Sequence, residues 1–203
     1  MISIVEDKNL LDFCNVAYDS CVRWFGTPQD EDWPTELFRM NNARCYRIQR
    51  SKKYIITTCS HYTTINQDKA TIAHEMFHRV TALYPEMKIN LWIDEMLAYL
   101  TSRQILIEIG LGSYSNYRDS IILQSNQKLD INTLKNYRKS KTIFFSKKQK
   151  ASFYNSTSVL GIELMYHLEW EHICNLVPSK SLDQWLLSLP INKQQIARKL
   201  LDI

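Results

Sequence analysis

The sequence predicts an α+β fold that is mainly α-helical, with a small β-sheet in its first third. Hydrophobic residues make up 45% of the 203 positions, which is enough to form a buried core. The chain has only 4 glycines and 5 prolines, too few for the many turns of a β-sandwich or barrel. Apolar residues recur at three- and four-residue steps in several long stretches, while one stretch is rich in β-branched and aromatic residues.

The chain length fits one domain. We expect a single domain over residues 1–203. Its N-terminal helix and small sheet would form a lobe at about 1–65, and the remaining helices would form a lobe at about 66–203. No internal repeat or low-complexity segment interrupts this organisation.

Charge and cysteine content predict a cytoplasmic protein without a membrane or nucleic-acid partner. The net charge of +4, from 25 basic and 21 acidic residues, does not require a polyanion to explain it. The N-terminus has no basic and apolar signal pattern, and no apolar run reaches the roughly 18 residues of a membrane span. The five cysteines include no C-x-x-C pair, which favours reduced thiols. A protein exported by a secretion machine would have the same sequence.

The first elements along the chain are a helix and a small sheet. Apolar residues at helical spacing predict a helix over 9–25, which Gly26 ends, and residues 29–39 are interpreted as a polar connection. The β-branched stretch 45–65 predicts two or three short strands, with a hairpin near 50–53. An exposed strand there could pair with an extended substrate, or the sheet could simply cap the helical core.

The next predicted helix carries the pattern His74-Glu75-Met76-Phe77-His78. Asn66 is a candidate N-cap, and Pro85 should end the helix after about 18 residues. Residues four apart lie on the same face of a helix, so His74 and His78 can bind one metal ion. This is the H-E-x-x-H pattern, in which Glu75 would act as general base toward a zinc-bound water. A lone histidine is more often a hydrogen-bonded core residue, but the pair with Glu75 between them favours a Zn²⁺ site.

A catalytic zinc site needs a third protein ligand and one open position. A helix predicted over 90–109, with Gly110 past its end, contains Glu95, which lies 17 positions after His78. A short loop after Pro85 could return this helix against the preceding one and bring Glu95 to the metal. His167 and His172 are weaker alternatives because they lie far downstream.

The last part of the chain predicts further helices. A weaker helical pattern covers about 120–134, and a stronger one runs from Asn155 to Trp170. Residues 181–201 predict one or two short helices broken at Pro190. Two short basic runs, at 138–141 and 147–150, are most simply solvated surface.

The segment around the third ligand resembles a known family. Trp92-Ile93-Asp94-Glu95-Met96-Leu97-Ala98-Tyr99 is similar to the W-[LI]-[ND]-E-G-[LF]-A-x-Y segment of gluzincin metallopeptidases of the aminopeptidase-N type. Over about 72–99, the resemblance implies a zincin, thermolysin-like catalytic domain in which His74, His78 and Glu95 hold zinc and Glu75 is the base. Met96 replaces the family's glycine, a difference in packing rather than in ligation.

The resemblance also implies a tyrosine that stabilises the oxyanion. In the family this tyrosine opens a helix some sixty residues past the ligand glutamate, and Tyr154 lies 59 positions past Glu95. Tyr154 is our choice; a core aromatic is the alternative interpretation, and Tyr166, Tyr114 and Tyr99 are rival candidates. The family's G-x-M-E-N segment, whose glutamate binds the substrate amine, has no counterpart, because residues 54–64 contain no acid.

These observations predict a zinc-dependent endopeptidase that acts on a protein or peptide. A missing amine anchor disfavours exopeptidase activity and favours an extended substrate. A small cytoplasmic protease needs restraint, which leaves room for a regulatory protein partner. The alternatives are a zincin-fold interaction or regulatory module that binds a partner, and an effector or toxin protease exported without a signal.

Overall fold

A computed structural model gives the structure of the protein, and it describes residues 3–59, 64–82, 91–113, 115–117, 134, 146–179 and 181–201. The described residues form a mixed α+β structure in which helices predominate, as the sequence predicts. By internal contacts the chain divides into two compact units, one of Met1–Leu83 with Thr101–Gly112, the other of Tyr84–Leu100 with Ser113–Ile203. The single metallopeptidase-like domain with two lobes stays a prediction.

The first unit contains helix α1 (Lys8–Phe25), helix α2 (Ile65–Thr81) and a four-stranded sheet. The strands are β1 (Ser3–Ile4), β2 (Thr35–Met40), β3 (Arg44–Ile48) and β4 (Lys53–Cys59). Their order is β1-β2-β4-β3: β2 and β4 are parallel, and the two outer strands pair antiparallel with their neighbours. The short turn between β3 and β4 confirms the predicted hairpin near 50–53.

Helix α1 and the sheet both pack against α2. Asp7 caps α1 by accepting hydrogen bonds from the backbone of Asn9 and Leu10, and Gly26 ends the helix with a φ of 87°, which glycine adopts without a Cβ clash. Phe25 of α1 meets Phe77 of α2 edge to face, with ring centroids 5.2 Å apart. The core of this unit consists of apolar side chains from both helices and the sheet, including Leu10, Phe13, Cys21, Leu37, Ile56, Ile72, Met76 and Val80.

Two local predictions in this unit are wrong. Residues 35–40 form β2 instead of a polar connection, because Arg39 and Glu36 are satisfied by Asp68 and Lys53 from elsewhere in the fold. The N-cap of α2 is Thr64 instead of Asn66. Thr64 accepts a hydrogen bond from the Gln67 backbone, and the Gln67 side chain accepts one from the Thr64 backbone, which completes a capping box.

The second unit is helical in its described residues. Helix α3 (Leu91–Glu108) begins in this unit and is apolar on almost every side, so most of its side chains are buried. Helix α4 (Lys147–His167) starts earlier than predicted, at a Ser146–Gln149 capping box, and ends before Trp170. Three shorter helices follow: α5 (Trp170–Cys174), α6 (Leu182–Ser188) and α7 (Ile191–Leu201). The break between α6 and α7 is at Pro190, as predicted.

Close packing joins α3 to α4 at a glycine. A Cβ at Gly161 would lie 3.0 Å from side-chain carbons of Leu100 and Met96, closer than in nine of ten real Cβ contacts. Met96 occupies the position at which the resembled family has glycine, and here the small residue is on the facing helix. The two helices can therefore approach closely in spite of the larger side chain at position 96.

Several predicted features lie outside the described residues. These are the end of the motif helix at Pro85, the connection to the next helix, the helix at about 120–134, the basic run at 138–141 and the rival Tyr114. Among the described cysteines, Cys14 and Cys45 are free thiols. In the part of the chain that the structure describes, every helix is too short or too polar to cross a bilayer.

Candidate metal centre

Helix α2 presents the two motif histidines together on one face. His74 and His78 are each half-buried, and their Nε2 atoms lie 3.2 Å apart, with one of the two rings donating to the other. Two ligands of a tetrahedral zinc ion, each 2.0–2.1 Å from the metal, are about 3.3 Å apart. The spacing of the two imidazole nitrogens therefore suits a shared metal ion without a change of the helix backbone.

Glu95 supplies the third ligand atom of this cluster. One carboxylate oxygen of Glu95 and one ring nitrogen from each of His74 and His78 all lie within 4.8 Å of one another, and all three residues are half-buried. Two imidazoles and one carboxylate form a ligand set typical of catalytic zinc, which leaves the fourth position open. The described part of the chain brings together the three residues that the sequence singles out. His167 and His172, the weaker alternatives, are not in this group.

Glu75 is buried on α2, the helix that packs against β3 and β4. Its exposed fraction is 7%, compared with half-buried His74 and His78. Burial raises the pKa of the Cys45 thiol well above its usual range, and the negative charge of Glu75 raises it further. The predicted base therefore acts electrostatically on a residue of the outer strand β3.

Sequence comparisons give no independent family assignment: no protein-family model matches the chain, and a search of curated proteins finds no match. The gluzincin resemblance consequently depends on the residues quoted for it. The same residues include the three that meet in the cluster. The zinc-peptidase hypothesis therefore depends on the sequence and geometry of this chain alone.

Tyr154 lies within α4 and does not open it. It is the eighth residue of that helix, because α4 begins at Lys147. Its side chain is 47% exposed, so Tyr154 is not the core aromatic that we considered as the alternative; the neighbouring Phe153 is buried instead. The Tyr154 carbonyl accepts hydrogen bonds from Thr157 and Ser158, a pattern that tends to bend helices. The role of Tyr154 in catalysis stays a prediction.

A buried ionic cluster on α2 was not predicted from the sequence. Arg79, the residue after His78, is 1% exposed, and its guanidinium contacts the Asp30 carboxylate at 3.3 Å. It also donates to the backbone carbonyls of Asp30 and Trp33, and it lies 3.9 Å over the ring of Tyr54. Arg47 of β3 completes the group with a 2.9 Å hydrogen bond to Asp30. We refer to Asp30, Arg47, Tyr54 and Arg79 as the Asp30 cluster.

The Asp30 cluster changes the ionisation of its members. Burial alone would raise the pKa of Asp30, but hydrogen bonds from Arg47 and Tyr54 and the charge of Arg79 outweigh it and hold that pKa below its ordinary value. Burial and the hydrogen bond to Asp30 raise the pKa of Tyr54 to about 12. The carboxylate of Asp30 is thus ionised and fully engaged. The only sequence signal was an acid, Asp30, in a segment interpreted as a plain connection.

Proposed function

We propose that this protein is a zinc-dependent peptidase of the gluzincin kind, with a zincin-type arrangement of its motif helix and sheet. The observation that carries the proposal is the cluster of His74, His78 and Glu95 ligand atoms within 4.8 Å of one another. A histidine pair four residues apart with a glutamate after the first histidine is the pattern of zinc hydrolases. The 3.2 Å spacing of the two Nε2 atoms supports the same conclusion.

Each residue has a distinct part in the proposed reaction. His74, His78 and Glu95 would hold zinc, which when bound polarises a carbonyl and lowers the pKa of a water toward 7. Glu75 accepts a proton from the attacking water and passes it to the leaving amine nitrogen. Tyr154 is our candidate donor of a hydrogen bond to the developing oxyanion. Met96 and Gly161 set the spacing of the two helices that carry Glu95 and Tyr154.

The outer strand β3 supports an endopeptidase rather than an exopeptidase. It ends the sheet order of the described strands, so alternate backbone groups of β3 are free to pair with an extended peptide. Helix α2, which carries the proposed base Glu75, packs against this strand and against β4. No acidic residue occurs from Leu37 to Gln67 to bind a free amino terminus. A substrate is therefore expected to extend past the site in both directions.

Metal content and peptidase activity of matched histidine variants test the proposal. Purified full-length protein should contain about one zinc per chain by plasma mass spectrometry, and His78→Ala should lose most of it. His172→Ala is the matched control, because His172 is not a member of the ligand cluster and lies 3.9 Å from Glu169. Cleavage of quenched fluorescent peptides should stop with a chelator and return with added zinc. Equal zinc content in the two variants, or cleavage that resists chelation, would contradict the proposal.

A further inference from the structure

Positive charge is concentrated around the outer strand β3. The 31 positions from Leu37 to Gln67 contain six arginines and lysines and no aspartate or glutamate. The chain as a whole has 21 acidic residues in 203, so about three would be expected in a segment of this length. The absence of acids is therefore a local property of residues 37–67, and the mild net charge of the whole chain conceals it.

Three of these six positive charges are neutralised by acids from neighbouring elements. Arg39 pairs with Asp68 at 2.8 Å, Arg47 with Asp30 at 2.9 Å, and Lys53 with Glu36 at 2.8 Å. Each of these pairs ties a strand to another part of the first unit. Half of the positive charges in this segment therefore take part in ion pairs that stabilise the fold.

The other three positive side chains take part in no such ion pair within the described residues. Arg44, Arg50 and Lys52 are exposed, and within the described residues no acidic side chain pairs with them. Like charges that share a surface repel one another, so they do not stabilise the hairpin. Their charge is available to a binding partner.

The three available charges lie at the two ends of β3. Arg44 is the first residue of the strand, against which α2, the helix of Glu75, packs. Arg50 and Lys52 lie in the turn that follows the other end. The strand is five residues, or about 16 Å, long. An extended peptide paired with β3 would thus meet a positive charge near each of its ends, in either chain direction.

We propose that this surface, Arg44, Arg50 and Lys52 around β3, the outer strand of the described sheet, selects acidic peptide segments. The inference rests on the proposed peptidase function and specifies its substrate class: an extended segment with glutamate or aspartate on both sides of the bond that is cut. The partner is a peptide rather than a nucleic acid because the charges frame a strand edge whose backbone groups match a peptide backbone. Such exposed charges act mainly on specificity and on the rate of association.

Peptide binding, measured without cleavage, tests the charge selection. Fluorescence anisotropy with full-length Glu75→Gln protein would compare three short labelled peptides that differ only in carrying glutamate, glutamine or lysine near both ends. The glutamate peptide should bind about 3- to 100-fold more tightly than the glutamine peptide, since exposed ion pairs contribute modestly. The advantage should largely disappear when the ionic strength rises from about 0.1 M to about 1 M, because the Debye length falls from about 10 Å to about 3 Å.

A triple variant locates the effect. Arg44→Gln with Arg50→Gln and Lys52→Gln should abolish the preference for glutamate. Lys148→Gln with Lys150→Gln and Lys199→Gln is the matched control. It also removes three positive charges from exposed positions, but these lie on helices away from β3 in sequence, so the variant should keep the preference for glutamate. Circular dichroism and thermal unfolding of both variants would show that each is folded.

The outcomes separate this inference from the proposed function. Equal binding of the three peptides, an equal loss in both triple variants, or tighter binding of a single-stranded oligonucleotide that the first variant alone loses would overturn the inference. Zinc-dependent cleavage without charge preference would overturn it and leave the peptidase proposal standing. Selective binding of acidic peptides by a protein that cleaves none would contradict the peptidase and leave the acidic-peptide surface standing.

Discussion

Helix α2 carries two polar clusters that differ in how their charges are satisfied. In the Asp30 cluster, Arg79 and Asp30 are almost fully buried, and hydrogen bonds, an aromatic ring and a second arginine surround them. One residue earlier, His78 is half-buried and faces His74 and Glu95. The chain itself completes the first cluster. The second is a set of electron-pair donors that converge on a common point, which suits a ligand from outside the chain.

This difference distinguishes a structural cluster from a functional one. Buried charges are retained where the protein pairs them, since an unpaired buried charge is strongly destabilising. Arg79 joins α2 to the loop between α1 and β2, because its guanidinium binds Asp30 and Trp33 of that loop. It thereby holds the helix that carries the proposed metal ligands His74 and His78. We infer that loss of the Asp30 cluster would reduce stability, whereas loss of the histidine face would reduce metal binding and catalysis.

Replacement of the base should have the largest effect and leave the fold unchanged. Glu75→Gln keeps the size of the side chain but cannot accept a proton from water, so peptide cleavage should fall about 10²- to 10⁴-fold. Zinc content should remain that of the wild type, because His74, His78 and Glu95 are intact. Steady-state kinetics with a quenched fluorescent peptide, together with metal analysis, measure both quantities.

The exposed Glu171 provides the control for this replacement. Glu171→Gln makes the same Glu-to-Gln replacement at an exposed position of α5, and it should leave the rate of cleavage unchanged. Undiminished cleavage by Glu75→Gln would exclude Glu75 as the base.

Breaking the Asp30 cluster should have the next largest effect, which is a loss of folding stability. Arg79→Met leaves the buried carboxylate of Asp30 without its closest buried cation, so we expect a loss of about 3–5 kcal/mol in the free energy of unfolding. Arg23→Met removes an exposed ion pair with Glu108 and should cost at most about 1 kcal/mol. Urea unfolding followed by circular dichroism compares the two variants. Similar losses for both would mean that the Asp30 cluster is not the stronger structural element.

Much of the fold follows from local patterns in the sequence. The helices around Phe13, His74 and Leu97 have long apolar faces with three- and four-residue spacing, and the β3–β4 hairpin has dense β-branched residues. Helix boundaries were less predictable. Thr64 and Asn66 are both good N-caps, and only the Gln67 side chain, which completes a capping box, decides between them.

The unpredicted features depend on contacts between distant residues. Strand β2 contains Glu36 and Arg39 and has no apolar alternation, so only its pairing with β4 and its ion pairs explain it. Asp30 is 49 positions from Arg79, a separation at which one sequence carries no pairing signal. The proximity of His74, His78 and Glu95 was predictable, because the H-E-x-x-H pattern and its need for a third ligand limit the choices.

The pH dependence of stability should show the smallest effect, and we assign that effect to Asp30. Its pKa is lower in the folded protein than its ordinary value near 3.9, so its contribution to stability is present above about pH 4 and is lost as the pH falls through the folded-state pKa. Thermal unfolding between neutral and acidic pH should therefore decline less steeply for Asp30→Asn than for the wild type, although the variant is less stable at pH 7. Parallel curves would show that Asp30 is not responsible for the acid sensitivity.

The thiol of Cys45 has a consequence for the chemistry of the outer strand β3. Only the thiolate form of cysteine reacts readily with oxidants and alkylating reagents, and burial together with the charge of Glu75 keeps Cys45 protonated at neutral pH. Cys45 is therefore a poor target for oxidants and alkylating reagents at neutral pH, and the outer strand β3 should keep an unmodified thiol in oxidising surroundings.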